Sequence, residues 1–245
     1  MSEFQIKPMS LKDCSLQESR IDIWEFPLSS YPENSLHLLD DTELERARRF
    51  LFEKHRRRFI ASHAALRLIL ARYLRIPADQ IEFIKGNYGK PAVRHFTEIE
   101  FNLSHSGEVG LLGIGSKHPL GIDIEQFSAR SLKGLANYAF SPEEVQEFNR
   151  VPKLLQVLTF FKIWAKKEAF IKASGLGLHY PAQSFSVPVF KDQAEIFDSL
   201  HQKNWLMRSC MPHPGYAAAL CYEPAIETLR GLKLEKLEWL LNEKF

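Results

Sequence analysis

The sequence predicts an α+β fold, and its element order suggests two related halves. Short strands with alternating apolar residues lie apart from long helical runs, and the order strand, helix, strands occurs twice. The two occurrences meet near Lys117-His118-Pro119, which places the halves at residues 1–117 and 118–245. A doubly wound parallel sheet would instead alternate strand and helix throughout.

In chain order, residues 20–28 alternate apolar and polar positions, a first strand. Asp41-Thr42-Glu43 offers N-cap groups for helix over 44–52, and 58–74 carries apolar residues at helical spacing until Pro77 closes it. Residues 81–84 form a short strand, and 85–91 a turn rich in Gly and Pro. Strands follow at 99–103 and 109–114, with Ser104-His105-Ser106-Gly107 as the loop between them, and at 120–125. Ser141-Pro142-Glu143-Glu144 is a helix start, with Ser at N-cap, Pro at N1 and acids in the first turn. A long helix spans 153–174 and Gly175 ends it. Strands are expected at 184–190, 195–197, 205–208 and 216–222, then an amphipathic stretch at 232–241.

Composition excludes several classes. The 245 residues, 45% hydrophobic and 25% charged, are those of a globular chain with a real core. A net charge of +2 is too small to make nucleic acid the main partner. Residues 1–11 are polar and no run reaches the length of a spanning helix, so neither a signal peptide nor a membrane is expected. Cys14, Cys210 and Cys221 lack metal-ligand spacing and fit a reducing compartment, which points to the cytoplasm.

The chemistry gathers in two acidic signatures. In the strand Gly121-Ile122-Asp123-Ile124-Glu125, the two acids share one face and the isoleucines the other. Gly121 permits close backbone approach. In Trp164-Ala165-Lys166-Lys167-Glu168, helical spacing stacks Trp164, Glu168 and Lys172 in one column. Where strand and helix meet, three carboxylates and a lysine converge, as Mg²⁺-assisted chemistry on a phosphate requires. Taken singly, each half has a plainer explanation: an exposed acidic edge strand, or a Glu168–Lys172 surface pair. Trp164 and Phe170 are expected in the core. His105 suits hydrogen bonding to a phosphate, or is simply a turn histidine. The basic run at 46–58 is either a solvated helix face or a site for a polyphosphorylated small molecule.

The motifs Tyr88-Gly89-Lys90-Pro91, Asn102-Leu103-Ser104-His105-Ser106-Gly107, Gly121-Ile-Asp-Ile-Glu125 and Trp164-Ala-Lys-Lys-Glu168-Ala-Phe-Ile-Lys172 resemble, in this order, the Sfp-type 4′-phosphopantetheinyl transferases. The resemblance covers about residues 40–190 and implies a pseudo-dimeric fold with its active site in the cleft between the halves. It implies transfer of the phosphopantetheine arm of coenzyme A to a serine of an apo acyl, peptidyl or polyketide carrier protein, releasing 3′,5′-ADP. By the same resemblance Asp123, Glu125 and Glu168 bind Mg²⁺, or Mn²⁺ in its place, on the coenzyme A pyrophosphate. Lys172 contacts the phosphates, and Ser104 and His105, beside Asn102, the 3′-phosphate region. Lys90 with Tyr88, Gly89 and Pro91, together with Arg46, faces the nucleotide. Glu168, Lys172 and His105 are the catalytic candidates, Glu168 as base for the carrier serine. Some members carry a basic residue where this chain has Glu43, with Arg49 a nearby substitute, and some have a metal-proximal acid at the position of Glu144. A monomer is expected, because the cleft is intramolecular. A Mg²⁺-dependent phosphoesterase would use the same carboxylates without a protein acceptor, and a nucleic-acid module would use residues 46–58 with steep salt dependence.

Overall fold

Two sheets face each other edge to edge and face to face, each backed by one long helix. The computed structural model describes residues 6–8, 14–128 and 132–242; most of the polar N-terminal segment lies outside these. The first sheet has strand order β1 (Ile6–Pro8), β11 (Thr228–Lys233), β2 (Arg20–Pro27), β6 (Val109–Ser116), β5 (Ile99–Ser106). The second is antiparallel: β7 (Leu120–Gln126), β10 (Tyr216–Tyr222), β9 (Lys203–Cys210), β8 (Gln193–Asp198). A hairpin of β3 (Phe83–Lys85) and β4 (Pro91–Val93) carries the predicted turn.

Helices α1 (Asp41–Arg48) and α2 (Glu53–Leu74) belong to the first sheet. Alternation along β2 sends Trp24 and Phe26 into a core with Ala65, Leu66 and Ile69 of α2. The opposite face sends Ile21 and Ile23 against Ile122, Ile124 and Leu220 of the second sheet. That second sheet is covered by α5 (Lys153–Ser174), preceded by α3 (Leu132–Ala139) and α4 (Pro142–Asn149). Helices α2 and α5 are both 22 residues long, one to each half. Gly175 ends α5 at φ 76°, and Ser141 caps α4 in a capping box with Glu144.

The two edges are joined by side chains. β5 and β7 are edge strands, and an edge strand presents unpaired N–H groups. Asn102 Oδ1 accepts from the N–H of Ile122 at 2.8 Å, Ser104 Oγ from Ile124 at 3.3 Å, and Ser106 Oγ from Gln126 at 3.0 Å. Three alternate residues of β5 thus satisfy three alternate amides of β7. The segment Ser104–Ser106, expected as a loop, is strand, its backbone paired with Val109–Leu111 of β6. On the other side of β7, Gly121 lies under α5. A Cβ there would stand 2.1 Å from the carbonyl oxygen of Ala169 and 2.3 Å from the amide nitrogen of Ala173.

Other expectations need correction. Residues 184–190 form no strand: Ala182–Ser184 is a 3-10 turn, and Pro188 lies in the irregular stretch that follows. Of the amphipathic stretch at 232–241, Leu232 and Lys233 end β11 and the helical part is α6 (Glu238–Asn242). β11 inserts between β1 and β2, parallel to both. Arg230 clamps buried Asp22 of β2 through Nε at 2.8 Å and a terminal nitrogen at 2.6 Å, while Tyr73 Oη donates to the same carboxylate at 2.7 Å. Among the described residues no helix is long and apolar enough to cross a membrane.

Two substitutions test this arrangement by urea unfolding. Gly121→Ala forces α5 off β7 and is expected to cost about 1–3 kcal/mol of stability. Asn102→Leu keeps the side-chain size but orphans a buried amide, again about 1–3 kcal/mol. Wild-type stability in either variant contradicts the corresponding contact.

Candidate functional site

Because Ile122 and Ile124 turn into the inter-sheet core, Asp123 and Glu125 turn to the face covered by α5. There Lys172 Nζ donates to Asp123 Oδ1 at 2.6 Å and to the carbonyl of Ile122 at 3.2 Å. Lys172 therefore engages the strand acid, not Glu168 four residues earlier on its own helix. Asp123 is 3% exposed, its Oδ1 also accepts from Ser104 Oγ at 2.8 Å, and its Oδ2 is buried with no partner. Burial, then the Asp123 and Glu168 charges, push the Glu125 carboxyl up to about 7 against the pull of Lys172. Burial and Asp123 likewise raise Glu168, with Lys172 opposing. Among the described residues no three His, Cys, Asp or Glu side chains are spaced as a closed metal site. The donors still suit a hard cation, since they are carboxylate oxygens, one is orphaned in the interior, and two of the acids resist ionisation, first through burial and then through the charge of Asp123.

Beside the acids runs a cleft of about 480 Å³ drawn from both halves. The Tyr88-Gly89-Lys90-Pro91 turn and Asn102 line one wall, Ile171, Lys172 and Gly175 the other. Gly89, at φ 86°, makes that turn possible. Tyr88 is exposed and packs against His179, ring centroids 5.2 Å apart. Lys90 Nζ reaches the carbonyl of Leu120 at 3.0 Å and lies 3.5 Å from Glu100; burial lowers its pKa against the pull of Glu100. Asn102 and Ser104, expected at the 3′-phosphate region, have their side-chain oxygens engaged by the amides of β7.

A basic wall faces the acids. His105 is exposed, yet crowding by surrounding protein, followed by the charges of His63, Lys172, Arg58 and Arg46, depresses its imidazole to about 4. At neutral pH it is an uncharged ring in a positive field. Arg46 lies over the Phe59 ring, 5.2 Å from its centroid. Arg58 reaches Glu108 at 2.6 Å, joined there by Arg57 at 3.0 Å. The run at 46–58 is thus divided, since Arg49 and Arg56 make only exposed pairs with Glu45 and Glu53. Arg49 does not stand in for a basic residue at position 43. His63 was not singled out by the sequence, and Arg58 only as part of the basic run; their place depends on partners 20 and 50 residues away.

Three motif residues hold the scaffold. Lys167 Nζ pairs with Glu144 at 2.7 Å, both buried, and donates to the carbonyl of Phe185 at 2.8 Å. Glu144 also accepts from the amides of Ser141 and Val187, so it has no metal-facing oxygen to offer. Lys166 donates to the carbonyls of Pro188 and Lys191, and burial brings its pKa down to about 8. Phe170 is fully buried as expected, while Trp164 is half-buried on Phe160.

This geometry agrees with sequence comparisons over most of the chain. Residues 119–221 match the model of the 4′-phosphopantetheinyl transferase superfamily, and residues 23–115 that of the 4′-phosphopantetheinyl transferase N-terminal region. The chain is similar to 4′-phosphopantetheinyl transferase HetI of Nostoc sp., 37% identical over 180 residues, covering 70% of this chain and 74% of that one. It is 35% identical to 4′-phosphopantetheinyl transferase psf-1 of Bacillus pumilus, covering 71% and 75%. With 4′-phosphopantetheinyl transferase Sfp of Bacillus subtilis it shares 31% identity over 192 residues, 77% of this chain and 84% of that one. The chain belongs to the 4′-phosphopantetheinyl transferase superfamily.

Proposed function

We propose that this transferase moves the 4′-phosphopantetheine arm of coenzyme A onto a serine of an apo acyl, peptidyl or polyketide carrier protein, releasing 3′,5′-ADP, in a Mg²⁺-dependent reaction. The observation that carries the proposal is the meeting of Asp123, Glu125, Glu168 and Lys172 at one end of a cleft whose other wall is the Tyr88–Pro91 turn. Asp123, Glu125 and Glu168 would hold the cation, with the orphaned Oδ2 of Asp123 as the first oxygen in need of it. When bound, Mg²⁺ neutralises pyrophosphate charge.

The chain's own groups divide the remaining work. Lys172, already in the cleft, offers a fixed charge to the phosphates, and His105 an uncharged N–H. Lys90, Tyr88, Gly89, Pro91, Asn102 and Arg46 border the nucleotide, and Ser104 positions Asp123. The carrier serine oxygen attacks the β-phosphorus as the bond to 3′,5′-ADP breaks, and its proton must leave. Glu168, made more basic by burial and by Asp123, takes that proton. The active unit is a cytoplasmic monomer whose halves, residues 1–117 and 118–245, enclose the cleft, with β11 returning from the second to complete the first.

Incubation with coenzyme A, Mg²⁺ and an apo carrier protein should add the phosphopantetheine mass to the carrier, seen by mass spectrometry. Chelation with EDTA should abolish the addition and Mg²⁺ restore it. Hydrolysis of coenzyme A with no carrier product across fatty-acid, polyketide and peptide-synthetase carriers would instead favour a phosphoesterase. Glu168→Gln should lower the transfer rate by about 10²–10⁴-fold while coenzyme A still binds; near-normal transfer in this variant rules out Glu168 as the base.

A further inference from the structure

The two sheets do not fill all of the space between them. Where β11, β2 and β6 face β7 and β10, a cavity of about 480 Å³ is lined by Ile23, Leu111, Ile122, Ala218, Leu220 and Gly231. Ala218 and Gly231 contribute too little side chain to close the gap, so this part of the interior falls short of ordinary core packing. The wall that Ile122 forms belongs to the face of β7 turned away from Asp123 and Glu125, which separates the cavity from the cleft.

A carboxylate borders this apolar space. Glu25 of β2 lines the cavity and also an outer groove of about 600 Å³, whose walls include Glu108, Lys233 and Glu235. Glu25 is only 5% exposed. Its Oε1 lies 3.0 Å from His213 Nε2 and 3.6 Å from Lys233 Nζ, while its Oε2 is buried with no partner. Both neighbours approach Oε1 and stand partly in water, which weakens their hold on the carboxylate. A buried acceptor without a donor is costly, and a ligand that brings one removes the cost. In the groove, Glu108 is already held by Arg57 and Arg58, but Glu235 makes no ion pair among the described residues and adds to the negative charge. Arg208 also borders the cavity, yet it is half-buried and its Nε donates to Tyr222 Oη at 3.0 Å, so it gains less from a ligand than Glu25 does.

We propose that the space between the sheets is a second binding site, for a small organic cation. A short alkyl body fills the apolar cavity, and a primary ammonium group, entering by the outer groove, donates to Glu25 Oε2. The terminal torsion of glutamate is soft, so the carboxylate turns this oxygen to a donor at small cost. The occupant packs on the back of the strand that carries Asp123 and needs neither coenzyme A nor a carrier protein.

Titration of the full chain with hexylammonium, hexanol and hexanoate, read by calorimetry and by methyl NMR of Ile23, Leu111 and Ile122, tests this. Hexylammonium should bind saturably, shift those methyl groups, and be preferred over hexanol by about tenfold, the worth of one charge-assisted hydrogen bond. Glu25→Gln should erase that preference, whereas a merely structural role for Glu25 would weaken both ligands alike. Ala218→Leu, which fills the cavity, should abolish the binding. Where either variant fails to fold, the wild-type chain decides alone. Equal affinity for hexylammonium and hexanol, a preference for hexanoate through Arg208, or no saturable shift of those methyl groups overturns the proposal.

Discussion

The molecule depends on one seam, the side-chain ladder from Asn102, Ser104 and Ser106 to the amides of β7. Backbone pairing would have merged the two sheets into one, with β5 and β7 at ordinary ladder spacing. Side-chain acceptors instead leave two separate sheets whose edges are chemically closed, and they fix which residues of β7 face which way. Since Ile122 and Ile124 must enter the inter-sheet core, Asp123 and Glu125 have no freedom but to face α5. Gly121 then fixes how close that helix comes. Seam and glycine together bring Lys172 to hydrogen-bonding distance of Asp123.

The charges are sorted by element. Carboxylates come from β7 and α5, cations from α1 and α2 around the uncharged His105 of β5, with Lys172 between the two sets. Glu125 and Glu168 are raised and His105 is depressed first by burial and then by the like charges around each, so counter-charge is wanted on both sides. A substrate with several phosphates beside a divalent cation supplies both. Stability is drawn from elsewhere, from saturated groups such as Lys167 with Glu144 and Arg67 with Glu43.

Features with local causes were legible in the sequence. Ser141-Pro142 opens α4, Gly175 closes α5, period-two alternation marks β7, and an unbroken apolar run marks β10. The acid face of β7 followed from strand geometry alone. Features caused by distant partners were not legible. β11 contains Gly231 and few strand formers, and is a strand because β1 and β2 flank it. The short α3, interrupted by Gly134, carries too weak a local signal. Ser104-His105-Ser106 has loop composition, yet its hydroxyls are strand connectors. Lys166 and Lys167 stand beside Glu168 in the motif, but their ammonium groups hold the stretch around 185–191, which periodicity could not distinguish from a contact with substrate.

The return of β11 also bears on biosynthesis. The first sheet surrounds a strand taken from residues 228–233, so it stays unfinished until nearly all of the chain has emerged from the ribosome. Until then β2 exposes a bare edge, and Asp22 waits in an apolar setting without Arg230. A cut between β6 and β7 therefore parts the first sheet from β11, the strand that lies between β1 and β2.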